Sequence, residues 1–290
     1  MIALKNKPLP LHPLHFKDLE SSGLTGEQMA LTGHFSASAR MAQKLIGHNL
    51  AGLIFPYHNP HGKPYLKSDD QPFYRIKPEW GNLKTEDSPK YLSSAGEGNR
   101  PYFSRLYPQW QRAIKSTKID LTEVEGEKKG DCLCSYGEAT IGFSGVSGWV
   151  DKTPRPGENQ LEHSRPLPEL DVIEWHNRKV YQCYDSDIIE KLPVRDALFE
   201  RAQDLHHKGA HPYLILLPNE INGAKNGPDD FVVRHGIEAY RVLKKAAQPS
   251  ILWKGVGQKR VATLNLGEPS TYYKSLRKRN KKGCSLVSVI

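Results

Sequence analysis

The chain reads as an α/β protein: a parallel sheet of about four strands with flanking helices, preceded by a small α+β segment rich in loops. Three observations predict it. From Ile119 onward, apolar strand-like runs alternate with helix-like runs, the pattern of a parallel sheet covered by helices. Upstream, from Arg40 to Trp110, short apolar–polar alternations are broken by Pro, Gly and Asn, as in a small β-containing domain. Finally, two acidic clusters about sixty residues apart, Glu125-Gly126 and Asp185-Ser186-Asp187, each close a predicted buried strand.

The elements follow in order. Between His15 and Ser38 the chain predicts two short helices. HFKDLESSG stops at Gly23, and Thr25 caps GEQMALTG, which stops at Gly33. A strand around Leu53-Ile54-Phe55 turns at Asn59-Pro60-His61-Gly62 and returns. QPFYRIKP alternates as a further strand, and SPKYLSS follows a polar linker. The alternating half then runs as strand IDLTEVEG, helix EKKGDCLCSY, strand ATIGFSG, a Pro-rich insertion, strand VYQCYDSD, helix DALFERAQDLHHKG and strand PYLILLP. GIEAYRVLKKA closes it as a helix to about Ala247. The expected domains are 1–112, 113–248 and a basic tail, 249–290.

Composition bounds the function. The 290 residues carry a formal net charge of +9. From Ile251 to the end there are nine Lys or Arg against Glu268 alone, so the excess sits in the last forty residues. Lys274, Arg277, Lys278, Arg279, Lys281 and Lys282, beside Tyr272 and Tyr273, make this tail a nucleic-acid contact; the rival reading is a solvated tail that aids solubility. No apolar run reaches the ~18–20 residues of a membrane span, and the first residues lack a signal-peptide pattern, so a cytoplasmic location is expected. The four Cys (Cys132, Cys134, Cys183, Cys284) form no C-x2-C pair and no zinc-finger set with His, so no zinc is expected. His58, His61, His206 and His207 show no ligand spacing and are expected on the surface. No G-x4-G-K-[ST] is present, which excludes a P-loop motor within these residues.

The acids carry the chemistry. C-terminal ends of parallel strands share one sheet edge, so a Glu from one and an Asp-x-Asp from another would converge. Three close carboxylates repel unless a cation neutralises them, and hard oxygen donors suit Mg²⁺. Metal-dependent phosphoryl or nucleotidyl transfer needs that arrangement, with Glu125 as ligand or general base. Gly126 lets the backbone turn sharply and a phosphate approach. The rival reading of Asp185 and Asp187 is a helix N-cap and a first-turn acid, which leaves Glu125 unexplained. For Arg75 and Lys90 the rival is an ordinary solvated β-surface. GFSGVSGW is expected to form a tight loop with Trp149 packed inward.

The order strand, Glu-Gly, helix, strand, loop, strand, Asp-x-Asp, helix, strand resembles the Toprim domain, shared by bacterial-type primases, type IA and II topoisomerases and some nucleases. EVEGEKKGD resembles its glutamate motif and VYQCYDSD its Asp-x-Asp motif. ILLPNEINGAKNGPDDFVVRHG resembles the primase stretch that supplies further acids. The resemblance implies Glu125, Asp185 and Asp187 as catalytic metal ligands, with Asp229 and Asp230 from the third cluster. Three features depart from the pattern: Lys129 stands where primases carry a further acid, Lys128-Lys129 brings two cations, and Pro228-Asp229-Asp230 replaces Asp-Pro-Asp. Upstream, GLIFPYHNPHGKP, PFYRIKP and SPKYLSS resemble the N-terminal half of a primase polymerase domain, which implies Arg75 and Lys90, with Tyr91 beside it, along a nucleotide and template groove. EGEKK, GFSGVSGW and GPDDF are similar to a Toprim-like domain of plasmid, phage and cyanobacterial replication proteins.

Together the resemblance implies a Mg²⁺- or Mn²⁺-dependent primase-like nucleotidyltransferase. It would make short primers from nucleoside triphosphates on single-stranded DNA, with Arg75, Lys90, Lys128 and Gly126 at phosphates. A separate replicative helicase is an implied partner. The rivals are a nucleic-acid-binding accessory with little catalysis and a Toprim nuclease. Deleting residues 251–290 is expected to weaken single-stranded DNA binding and flatten its salt dependence, read by fluorescence anisotropy at several salt concentrations. An unchanged slope would assign the tail to solubility.

Overall fold

The computed structural model describes residues 10–151, 165–189 and 191–250. They fall within two compact units, one drawn from Met1–Ser116 and Glu125–Glu174, the other from Thr117–Val124 and Trp175–Ile290. The elements in chain order are α1 (Pro13–Glu20), α2 (Gly26–Thr32), β1 (Phe35–Ala37), α3 (Ala39–Ile46), β2 (Gly52–Pro56), β3 (Tyr74–Pro78), β4 (Leu92–Ser93), β5 (Tyr102–Phe103) and α4 (Trp110–Lys115). There follow β6 (Leu121–Glu125), α5 (Glu127–Ser135), β7 (Thr140–Phe143), β8 (Val150–Asp151), β9 (Arg165–Pro166), β10 (Lys179–Cys183), α6 (Leu192–His207), β11 (His211–Ile215), α7 (Pro228–His235), α8 (Ile237–Lys245) and β12 (Gln248–Pro249).

In the first unit, β1, β2, β3 and β4 form an antiparallel sheet in that order. Alternation along β2 and β3 sends Ile54 and Ile76 into a core with Phe35, Ala37, Ala42 and Ile46, with Met41 and Leu45 packed against it. The cap expected at Thr25 is present and takes the form of a capping box: its hydroxyl accepts from Gln28 N–H while the Gln28 side chain accepts from Thr25 N–H. Gly33 ends α2 in a left-handed conformation. The turn expected at Asn59–Gly62 closes with a Gly62 N–H to Asn59 carbonyl bond of 2.9 Å. α3 was not expected from the sequence. Its apolar positions 41, 42, 45 and 46 repeat at helical spacing, Ser38 caps it and Gly47 stops it, but eight residues give that period little length to show.

In the second unit, β6, β10 and β11 run parallel, with the short β12 antiparallel at the edge of β11. The register places Tyr181 opposite both Thr122 and Tyr213, and Cys183 opposite both Val124 and Ile215. β6 and β10 are buried almost throughout, as parallel strands covered by helices require. Their apolar pattern is interrupted by Thr122 and by a matched polar pair, Glu123 opposite Gln182, all fully buried. α6 supplies their partners. Gln182 Nε2 donates to the Leu198 carbonyl. Arg201 donates to both Glu123 oxygens, at 2.6 Å from Nη2 and 3.1 Å from Nε. Its Nη1 reaches Asp204, and its guanidinium lies 5.2 Å from the centre of the Trp175 ring.

The helix expected over GIEAYRVLKKA is α8; α7 before it was not expected, and the two meet at Gly236, whose φ of +81° a side-chain-bearing residue rarely adopts. Among the described residues no helix is long and apolar enough to cross a membrane. Replacing Glu123 by Gln leaves Arg201 fully buried without that counter-charge. The expected loss is about 3–5 kcal/mol, measured by denaturant unfolding of the whole chain. A loss below ~1 kcal/mol would mean that the pair does not hold β6 to α6.

Candidate functional site

Strand β10 ends at Cys183, and Tyr184 leads into Asp185-Ser186-Asp187, where the chain tightens into a single turn of 3-10 helix, Ser186–Ile189. Ser186 is buried and stapled to the loop after β11. Its N–H donates to the Asn226 carbonyl at 2.9 Å, its hydroxyl donates to Asn219 Oδ1, and Asn226 N–H donates back to that hydroxyl at 2.9 Å. Asn226, fully buried, is the hub of the loop. Its amide donates to the Pro218 carbonyl and Glu220 Oε1, and its side-chain oxygen accepts from Arg234 Nη1. The middle residue of the Asp-Ser-Asp segment is therefore fixed by backbone and amide bonds, and the acids flank it half-buried.

Both carboxylates converge on one cation. Lys225 Nζ lies 3.5 Å from Asp185 Oδ2 and 3.6 Å from Asp187 Oδ2, and Lys191 Nζ lies 2.7 Å from Asp187 Oδ2. Burial alone would raise the Asp187 carboxyl, but the bond from Lys191 and the charge of Lys225 hold it below the usual carboxylate range. The third acidic cluster lies in the same unit. Asp230 accepts from Gly227 N–H at 3.1 Å and so caps α7. Asp229 is buried in the first turn of that helix, with Oδ1 lacking a hydrogen-bond partner among the described residues.

At Glu125, within the glutamate motif, the chain re-enters the other compact unit. Glu125, half-buried, ends β6, and Gly126 follows with φ +100°, a conformation that favours glycine. Its N–H donates to the Phe143 carbonyl at 2.8 Å. A Cβ at Gly126 would meet nothing within 4 Å, so this turn is open to a ligand. Gly142 on β7 is needed for the approach, since a Cβ there would lie 2.8 Å from the Gly126 carbonyl oxygen.

Glu127 is the next residue and is buried. Its Oε1 accepts from Tyr57 OH and Arg75 Nη1, each at 2.7 Å, while Oε2 has no hydrogen-bond partner among the described residues. Arg75 lies 5.2 Å from the centre of the Tyr91 ring, and the exposed Lys90 lies 5.9 Å from it. Arg75, expected along a nucleotide and template groove, has a side chain 8% exposed and paired with Glu127. Lys128 is also engaged, donating to Asp18 Oδ1 at 3.0 Å and to the Asp18 carbonyl. Asp18 also pairs with Lys77 at 2.6 Å; its carboxyl is pulled below its ordinary value by these two cations, against the upward push of burial.

Four residues after Glu127, Asp131 is fully buried, with Oδ2 on His34 Nε2 and Oδ1 on Tyr102 OH and Ser104 Oγ. Tyr57, Glu127, Asp131 and His34 escaped the sequence reading, because a buried polar residue in an apolar run gives no periodic signal of its partner. Trp149 is buried as expected. His61, His206 and His207 are exposed as expected, whereas His58 is half-buried and desolvation lowers its imidazole to about 4. The tail residues Lys274, Arg277, Lys278, Arg279, Lys281 and Lys282 lie outside the described residues.

Among the described residues no three His, Cys, Asp or Glu side chains are already gathered to hold a metal ion. The Asp185–Asp187 pair nonetheless fits one. Its donors are hard oxygens, and an ammonium group stands between them as a bound cation would.

Residues 109–239 match the family described as "Domain of unknown function (DUF3854)". A stretch of 148 residues, half of this chain, is 27% identical to an uncharacterized protein of Picosynechococcus sp. (strain ATCC 27264 / PCC 7002 / PR-6) and spans 14% of that protein's length. Among solved structures, the DnaG catalytic core is similar at a TM-score of 0.56 and 20% identity, over 97% of this chain and 94% of that one. The DnaG primase catalytic domain bound to ssDNA matches at 0.54 and 19%, over 94% and 90%. The zinc binding and RNA polymerase domains of Aquifex aeolicus primase match at 0.52 and 14%, over 81% of this chain and 56% of that one. The fold is thus that of a primase catalytic core.

Arg75→Met is expected to lower stability by about 3 kcal/mol, because it leaves Glu127 buried without its cation; thermal melting checks this. An unchanged melt with a raised KM for nucleotide would instead make Arg75 a phosphate contact.

Proposed function

We propose that this chain is a primase-like nucleotidyltransferase that makes short primers from nucleoside triphosphates on single-stranded DNA with Mg²⁺ or Mn²⁺. The observation that carries the reading is the convergence of Asp185 and Asp187 on one cation at the C-terminal end of a parallel strand. In a fold shared with primase cores, that edge is where open α/β sheets build their sites. Glu125 is added on the resemblance of its Glu-Gly segment to the glutamate motif alone. Plasmid, phage or mobile-element replication is the proposed setting, with a separate helicase as partner.

In this reading Asp185, Asp187 and Glu125 would hold the divalent ion, with Asp229 as a further carboxylate once α7's first turn adjusts. Asp230 would serve only if it released its cap on Gly227. The ion supplies charge neutralisation at the triphosphate and at the attacking oxygen. The chain's own groups do the rest. Gly126 leaves open space for a phosphate beside the turn. Lys90 is exposed and available to contact it. Lys128 would join after leaving Asp18. Arg75 holds Glu127 beneath the turn and acts as a positioning residue. The basic tail would hold template.

One observation favours an accessory role: Lys191 and Lys225 already balance the Asp pair without any metal. The double substitution Asp185→Asn/Asp187→Asn, and separately Glu125→Gln, is expected to lower primer synthesis from labelled nucleotides at least a hundredfold while leaving single-stranded DNA affinity within about twofold. Primer synthesis retained in the double variant would place the site elsewhere. DNA binding with no synthesis by the wild type would favour the accessory, and shortening of the DNA a nuclease.

A further inference from the structure

We infer that Lys225 is a tethered counter-cation for the Asp185–Asp187 pair, which a divalent ion must displace to load the site; the inference rests on the proposed metal role of those two acids. Lys225 Nζ lies close to both carboxylates, 3.5 Å from Asp185 and 3.6 Å from Asp187, and Lys191 Nζ lies 2.7 Å from Asp187. Neither distance is that of a tight hydrogen-bonded pair, and the Lys225 side chain is 58% exposed. Such a contact is weak and readily broken. Its neighbour in the chain is the opposite: Asn226 is fully buried and fixed by Ser186, Pro218, Glu220 and Arg234. A rigid anchor thus holds a flexible ammonium beside the acids at high local concentration.

This placement has two consequences. Without metal, the ammonium limits the repulsion between the two carboxylates, so the Asp-Ser-Asp turn keeps its shape. A monovalent ion offers the pair no more charge than Lys225 already does, while a divalent ion offers twice as much. Lys225 therefore lowers the apparent affinity for every cation but favours divalent over monovalent occupancy. Once displaced, its ammonium remains on the same loop and can meet an anionic ligand of the bound ion.

The test is Mn²⁺ binding to the full chain, read by the loss of the free-ion electron paramagnetic resonance signal. Lys225→Met is expected to tighten Mn²⁺ binding by about three- to tenfold. Lys208→Met removes the same charge from beside Asp204 and is expected to change binding less than about twofold. Adding K⁺ should weaken Mn²⁺ binding more in Lys225→Met than in the wild type at equal ionic strength. If Lys225→Met behaves like Lys208→Met while Asp185→Asn/Asp187→Asn abolishes binding, the counter-cation role is wrong and the metal site stands. If Mn²⁺ binding is indifferent to the two acids in wild type and Lys225→Met alike, both the site and the role of Lys225 fall.

Discussion

The buried ion pair between Glu123 and Arg201 is the constraint on which the second unit depends. Two fully desolvated charges tolerate little change in geometry, because removing Arg201 strands Glu123 in a low-dielectric interior and removing Glu123 takes from Arg201 its buried counter-charge. Strand registers slip by single residues, and a slip of one would turn Glu123 away from α6 and present Val124 to Arg201. The pair thus selects one register of β6 beneath α6. Gln182, opposite Glu123 and bonded to the Leu198 carbonyl, repeats that selection on β10. Since both strands are then fixed, the points at which the chain leaves them are fixed as well. The exit of β10 carries the Asp-Ser-Asp segment.

Past the strand ends, charge balance takes over from packing. Carboxylates are met by local cations: Asp185 and Asp187 by Lys225, Asp187 also by Lys191, Asp18 by Lys77 and Lys128, Glu127 by Arg75. Exposure grades these pairs. Glu127–Arg75 is buried and structural, Asp18 with its two lysines is half-buried, and the contacts of Lys225 are exposed and weak. A polyphosphate with its divalent ion would most easily rearrange the last group, which is the one at the Asp pair.

Much of this was legible in the sequence, for identifiable reasons. The parallel strands announce themselves as apolar runs, and Gly126, Gly33 and Thr25 mark turns and caps whose backbone needs are local. The acids at the strand ends were legible because order and spacing are one-dimensional properties. What was hidden is pairing across sequence. Nothing near Arg75 in the chain points to Glu127, 52 positions on, and nothing near Asp131 points to His34, 97 positions back. Arg75 therefore read as a groove cation for phosphate, with no sign of its buried bond to Glu127. Lys225 gave no signal of its own, since its meaning depends on the fold of Asn226 onto Ser186. Helix α3 was missed because two turns are too short for periodicity to outweigh its polar residues.

The central claim is that Asp185 and Asp187 form a cation site. Anomalous diffraction from crystals of the full chain soaked in Mn²⁺ tests it most directly. The account predicts a peak coordinated by both carboxylates, with the Lys225 ammonium moved off the pair. Lys225 still lodged between Asp185 and Asp187, with no peak beside them at millimolar Mn²⁺, would contradict it.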